Sequence, residues 1–254
     1  MKIFVCVKQV PDTETKIKLN ADNSGIDTAG IKWIVNLYDS HAIEEALKIR
    51  DANPGSTVTV VGVGPKRINE ALITAMAMGA DEAISIDAPE NIDSLLTAQA
   101  LAKAIGSADL ILTGKLAIDD NGSAVTQQLA EFLGMPHATV VSKLVLNGNK
   151  ITVDREIEGG AKEVLELTLP SVIGCNRGLN NPRFASLPGI MKARKKPIKE
   201  LTLSQLDVNI EQRKNQFTDF QMPPPKPAAK VLQGSIDQQV HELVKLLREE
   251  ARVL

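Results

Sequence analysis

The chain has 254 residues, 43% of them hydrophobic, enough to bury a sizeable core as one large domain or as one domain with an appended arm. Its 29 basic and 31 acidic residues leave a formal net charge of −2, too neutral for a protein whose main work is gripping phosphate backbones. Aromatic residues make up only 3%, which argues further against a nucleic-acid partner that binds by stacking bases on rings.

Met1 to Lys8 reads as a buried strand, a short apolar run rich in β-branched residues. This start lacks a long apolar core or cleavage site, and no run approaches the roughly 18 apolar residues of a membrane span. A soluble, cytoplasmic protein without membrane insertion is expected, in the mitochondrial matrix if the host is eukaryotic. Thr57 to Gly62 (TVTVVG) and Asp109 to Thr113 (DLILT) read as further buried strands. Between the strands, Ala42, Ile43, Ala46 and Leu47 share one helical face, as do Ile68, Leu72, Ala75 and Met76. Alternating strand and helix predicts an α/β fold, a Rossmann-like parallel sheet with right-handed crossovers and helices on both faces.

After Gly134 the rhythm changes. Ala138 to Leu146, Ile151 to Ile157 and Val164 to Leu169 read as antiparallel strands joined at Asn147-Gly148-Asn149 and Gly159-Gly160, a hairpin extension. Pro197 to Asn215 reads as a linker of mixed charge, and Met222 to Pro227 (MPPPKP) as extended chain, since each proline fixes its own φ and biases its predecessor. Ser235 and Gln238 form a capping box ahead of a terminal helix over 236–252, whose stripe is Ile236, Val240, Leu243, Val244 and Leu247. That stripe must pack on its own domain or on a partner. The expected division is a body over 1–196 and an extended arm over 197–254.

Ligands of parallel sheets sit beyond the carboxyl ends of the strands, so the loops after Val7, Val61 and Leu112 come first. Gly62-Val63-Gly64-Pro65 leaves a strand, with Pro65 suited to the first helical position and Gly64 allowing close approach of a ligand; taken alone, an ordinary strand-to-helix turn is the better reading, since the full glycine fingerprint of dinucleotide folds is absent. Gly114 to Gln127 (GKLAIDDNGSAVTQ) leads through a polar loop into a helix over Val125 to Phe132, offering free N–H groups and hydroxyls to an anion. Asp119 and Asp120 either cap that helix or must turn away from a phosphate. In Asn36-Leu37-Tyr38-Asp39, Asp39 or Ser40 is the expected cap of the helix before Ala42.

Cys6 and Cys175 lie inside apolar runs and read as core thiols, which fits a reducing compartment. His41, His137 and His241 are scattered, so no metal is expected. No nucleophile elbow occurs, and carboxylate pairs such as Glu44-Glu45 read as solvated helix faces; a carrier rather than an enzyme is expected. The segment Asn176 to Lys196 mixes apolar residues with prolines, glycines and cations, the composition of an apolar tip on a basic base.

VCVKQVPD, LAIDDNGSAVTQQLAEFLG and NRGLNNPRFASLPGIMKARKK, in this order, closely resemble the beta subunit of electron transfer flavoproteins over residues 1 to about 200. The resemblance implies a fold of the adenine-nucleotide alpha-hydrolase type. It also implies an AMP pocket over Asp119, Asp120, Asn121, Gly122, Ser123, Ala124, Val125, Thr126, Gln127, Gln128, Leu129 and Ala130, with Asn121, Ser123, Thr126 and Gln127 as phosphate or ribose partners. Cys6, Asn36, Leu37, Tyr38, Asp39 and Val63 join that pocket by the same resemblance; Leu37 stands where proline often follows the asparagine, which bears on the loop's rigidity. The resemblance makes Arg183, Phe184, Ala185, Ser186, Leu187, Pro188, Gly189, Ile190, Met191 and Lys192 a recognition loop for acyl-CoA dehydrogenase-type donors, with Leu187 as apolar anchor and its neighbours as rim. It further implies an obligate alpha subunit holding most of the FAD, and a downstream quinone oxidoreductase or other acceptor. Two rivals stay open: an electron-bifurcating relative holding a second FAD in place of AMP, and a stand-alone nucleotide-binding stress or signalling protein.

Overall fold

A computed structural model describes residues 1–226 and 228–254; Pro227, the last residue of the MPPPKP reading, lies outside the described residues. Strand β1 (Lys2–Cys6) is followed by β2 (Gln9–Pro11) and β3 (Trp33–Val35), which pair with each other as a separate antiparallel ribbon. Helix α1 (Leu37–Ala52), β4 (Thr57–Gly64), α2 (Ile68–Met78), β5 (Glu82–Asp87), α3 (Ser94–Ile105), β6 (Leu110–Gly114) and α4 (Val125–Leu133) then alternate as expected. Four strands follow: β7 (His137–Asn147), β8 (Lys150–Glu156), β9 (Lys162–Thr168) and β10 (Ser171–Cys175). The chain continues through α5 (Leu187–Ala193), β11 (Lys199–Thr202) and α6 (Ile236–Glu249).

One nine-stranded sheet runs in the order β11-β5-β4-β1-β6-β10-β7-β8-β9. Pairing is parallel from β11 through β7 and antiparallel across β7–β8 and β8–β9. Alternate side chains feed two cores, one on each face. Ile3, Val5, Val58, Val60, Leu110 and Leu112 pack in the core that α1 and α2 cover, whereas Cys6, Val61, Ile111 and Val172 pack under α3 and α4. Burial on both faces is why these strands read as continuous apolar runs. The two cysteines are free and buried, one in each core.

The antiparallel strands form the expected extension: β7 pairs in parallel with β10 before turning to β8, so they prolong the main sheet past a register shift at Val141/Lys143. Two readings change in detail. Helix α2 starts at Ile68 rather than at Pro65, because Pro65 opens a turn closed by the Ile68 N–H on its carbonyl at 2.8 Å. The linker reading of Pro197 to Asn215 gives way for Lys199–Thr202, which pairs with Ile84–Asp87 as the outermost strand, and Val208 beyond it is buried. KELT is short, charged and on an edge, so it lacks the apolar signature of the inner strands.

Asp93 caps α3 through the Leu96 N–H at 2.9 Å and also accepts the Asn215 N–H at 3.2 Å, tying the chain's exit to the body. Farther on, the Ser235–Gln238 capping box forms as expected, and α6 ends at Glu249 with no buried residue. Ile236, Val240 and Leu243 of its stripe stand exposed.

Candidate functional site

From β1 the chain crosses to β4 and β5 on one side and returns to β6 and β10 on the other, which opens a crevice at the carboxyl ends of β1 and β6. The amino end of α1 closes its floor. Asp39 accepts the Lys8 N–H at 2.7 Å, the Gly114 N–H at 3.1 Å and the Asn36 amide at 2.8 Å. Asn36 in turn donates to the Leu116 carbonyl at 2.8 Å and accepts the Ile118 N–H at 3.2 Å. Helix α1 therefore starts at Leu37, earlier than expected, and Asp39 does not cap it: its carboxylate is spent on stitching two strand ends together. Burial pushes the Asp39 carboxyl up to about 7, against the pull of those donors. Ser40 is no cap either; its hydroxyl reaches only the Asn36 carbonyl at 3.5 Å. Leu37 is exposed, and Tyr38 lies with its ring centroid 5.0 Å from Lys115 Nζ.

Asp119 and Asp120 do not cap α4. Both face Lys8, whose Nζ lies 2.8 Å from one and 3.0 Å from the other. Partial burial works against the Lys8 ammonium, but the two carboxylates outweigh it and hold its pKa above the usual lysine value. The chain then passes through left-handed Asn121 (φ 51°) and Ser123 (φ 47°), with Gly122 between them donating to Asp120 at 2.9 Å. Ala124 precedes α4 and offers no side-chain cap. The first-turn N–H groups of α4 are therefore open to an anion, and the nearby carboxylates are drawn to Lys8, which offsets one of their two charges.

Other residues of the pocket divide by what they are free to do. The Thr126 hydroxyl is buried against that of Thr113 at 2.6 Å, so it serves the fold and leaves only its backbone for a ligand. Leu129 and Ala130 are fully buried core residues, Cys6 nearly so, and Val63 packs against the same core. The Gln127 and Gln128 amide oxygens are buried without hydrogen-bond partners, while Ser123 and Asn121 face solvent. The free N–H groups of α4's first turn and the exposed Ser123 hydroxyl are donors suited to an anionic group such as a phosphate.

Away from the crevice, Asn180 to Lys196 forms a protruding loop and short helix. Ser186 caps α5 by accepting the Gly189 N–H at 3.1 Å, and Pro188 sits in its first turn. Gly189 is needed for close approach, since a Cβ there would lie 3.0 Å from the Ala77 carbonyl oxygen of α2. Ala193 is buried, whereas Phe184 is 98%, Leu187 73% and Met191 61% exposed. Ala185 packs against the core, Ile190 is half-buried, and Lys192 is exposed. Arg183 is no free rim cation: its guanidinium and N–H make three hydrogen bonds to Glu44 at 2.8 to 3.0 Å.

Sequence reasoning overlooked Lys8, Gly114, Glu44, Glu45 and Asn180. Lys8 and the aspartates it pairs lie 111 and 112 positions apart, a distance over which spacing carries no contact information. Glu44-Glu45 read as a solvated face, yet both are buried; the only hint was two acids set directly between apolar Ala42-Ile43 and Ala46-Leu47. Among the described residues no group of His, Cys, Asp or Glu is arranged to hold a metal ion, and no helix is long and apolar enough to cross a membrane.

The electron transfer flavoprotein domain model matches residues 24–206. The chain is 40% identical over 261 residues to the electron transfer flavoprotein subunit beta of Bacillus subtilis, with 100% of both chains covered. It is likewise 40% identical over 263 residues to the mitochondrial beta subunits of Oryza sativa subsp. indica and of Arabidopsis thaliana, again with both chains fully covered. With identity of this order along the whole length, the chain belongs to the electron transfer flavoprotein family, among its beta subunits.

Proposed function

We propose that the chain works as the beta half of a heterodimeric electron transfer flavoprotein, holding AMP as a structural ligand and docking acyl-CoA dehydrogenase-type donors. The observation that carries this reading is the uncapped amino end of α4 at the sheet's switch point, beside two aspartates that pair with Lys8. AMP would be held by the N–H groups and hydroxyl of the Ser123–Gln127 turn, with Cys6, Asn36, Val63 and Asp39 shaping the walls. The bound nucleotide stiffens the loops at the ends of β1 and β6.

FAD, held mainly by the alpha subunit, supplies the redox chemistry. This chain contributes position. Phe184, Leu187 and Met191 form an apolar tip small enough for a brief encounter, and Lys192, Lys195 and nearby cations raise the encounter rate more than the affinity. Electrons then leave to a quinone oxidoreductase or another acceptor, in the cytoplasm or, in a eukaryotic host, the mitochondrial matrix. The free length beyond Asn215 is an arm whose α6 stripe packs on the alpha subunit, since among the described residues no member of that stripe is fully buried and Ile236, Val240 and Leu243 stand exposed.

Leu187→Ala tests the docking half of this reading. In the reconstituted heterodimer, an acyl-CoA dehydrogenase reduced by its acyl-CoA substrate should show at least a tenfold lower kcat/KM, with flavin content and melting temperature unchanged. Unaltered kcat/KM would remove Leu187 as the anchor.

A further inference from the structure

Two adjacent carboxylates on α1, Glu44 and Glu45, are buried although neither touches the nucleotide crevice. Glu45 pairs locally with Lys48 at 3.0 Å, but both acids also take partners from one place 135 to 139 positions later. Glu44 accepts the Arg183 N–H at 3.0 Å and its Nε and Nη2 at 2.8 and 3.0 Å, a two-point guanidinium fork plus a backbone bond. Glu45 accepts the Asn180 amide at 2.8 Å, and the same amide donates to the His41 carbonyl at 2.9 Å. The far end of the loop is fixed too. Arg194 pairs with Glu70 at 2.7 Å and Lys196 donates to the Ala80 carbonyl at 3.0 Å, both around α2.

The exposed tip side chains, Phe184, Leu187 and Met191, thus stand between two clamps, of which only the first has a buried acid, while Ala185 and Gly189 pack beneath them. From this geometry we infer that Glu44 is the positioning residue of the docking loop and Arg183 its strut, so that the apolar tip meets its partner preformed. The inference rests on the docking reading above. A bidentate pair whose acid is buried has one geometry, and it fixes the backbone one residue before Phe184. Without it, the tip would share its time among orientations. Apparent affinity falls by the fraction of time spent in the competent one. A fraction of about 0.1 to 0.3 raises the half-saturating donor concentration roughly three- to tenfold.

Arg183 has a rival role as a surface cation that touches the donor directly, and the two roles differ in sign. Glu44→Gln frees the guanidinium. If Arg183 were a rim contact, that substitution would leave the KM for donor equal or lower, whereas Arg183→Met would raise it. If Arg183 is a strut, both substitutions raise KM about three- to tenfold with kcat unchanged, and Arg183→Lys recovers part of the loss. The experiment measures donor KM and kcat in the reconstituted heterodimer, together with amide hydrogen exchange over residues 184–193, beside Leu187→Ala. Expected are raised KM and at least about tenfold faster exchange at Ile190 and its neighbours in both clamp variants. A KM that rises only in Arg183→Met overturns the inference, as does Leu187→Ala acting alone. Should Leu187→Ala change nothing, the docking reading fails by itself; unchanged exchange in Glu44→Gln then overturns the clamp separately.

Discussion

Gly114 tests the architecture of the crevice most sharply, because it is where the end of β6 passes under the first turn of α1. A Cβ at this position would lie 2.3 Å from Asp39 Oδ1, 2.8 Å from Tyr38 Cβ and 3.0 Å from the Asp39 backbone nitrogen. Asp39 Oδ1 ends its side chain, but that carboxylate is buried and held by hydrogen bonds from Lys8, Asn36 and Gly114, and the other two atoms belong to the first turn of α1. Relieving the overlap means moving the start of α1 away from β6, an overpacking cost of about 1–3 kcal/mol. The same movement stretches the Gly114 N–H bond to a buried carboxylate, which costs a further ~1–3 kcal/mol. Gly114→Ala should therefore lose about 2–6 kcal/mol, and at roughly 2–4 °C per kcal/mol for a chain of this size the melting temperature should fall by at least about 4 °C. Gly25→Ala is the control, since its Cβ would find its nearest neighbour at 3.7 Å; its shift should stay within about 2 °C. Thermal unfolding followed by circular dichroism on the co-expressed heterodimer reads both. Equal melting temperatures for Gly114→Ala and wild type would refute the packing argument.

Lys8→Met should weaken AMP binding at least about tenfold while leaving adenosine nearly unaffected, because two unneutralised carboxylates then face the phosphate; titration calorimetry on nucleotide-stripped protein reads this, and adding Asp119→Asn and Asp120→Asn should restore much of the loss. Val240→Asp with Leu243→Asp should weaken association with the alpha subunit, seen as a concentration-dependent split on size exclusion; an unchanged complex would free the arm of that role. Burial alone would raise the Glu44 carboxyl, but the hydrogen bonds and charge of Arg183 outweigh it and hold the pKa low. The pair's contribution is therefore complete above the unfolded value of about 4.3 and fades as pH falls through the lower folded value. Arg183→Met should accordingly flatten the loss of stability below about pH 4.5 in urea melts; an identical acid limb would count against the pair.

Inner strands were legible in the sequence because burial on both faces writes itself as unbroken apolar runs at Ile3 to Val7, Val58 to Val61 and Leu110 to Leu112. The same holds for the capping box at Ser235. Where a strand is short and charged, as at Lys199–Thr202, only its neighbour β5 defines it, and no local pattern could. Glu44 and Glu45 looked solvated because acidic residues are rarely buried without partners; Lys48 lies one turn from Glu45, but Arg183 and Asn180 lie far along the chain. The polar loop before α4 could be read as a candidate anion site; that its aspartates turn to Lys8 could not. Long-range pairing of charge is what the linear chain hides.

The most direct test of the whole account is the nucleotide content of the heterodimer. Copurified subunits are denatured, and the released ligands are separated and counted against protein. One AMP and one FAD per heterodimer are expected. Two FAD without AMP would hand the α4 pocket to a second flavin, and the absence of both nucleotides would contradict the account.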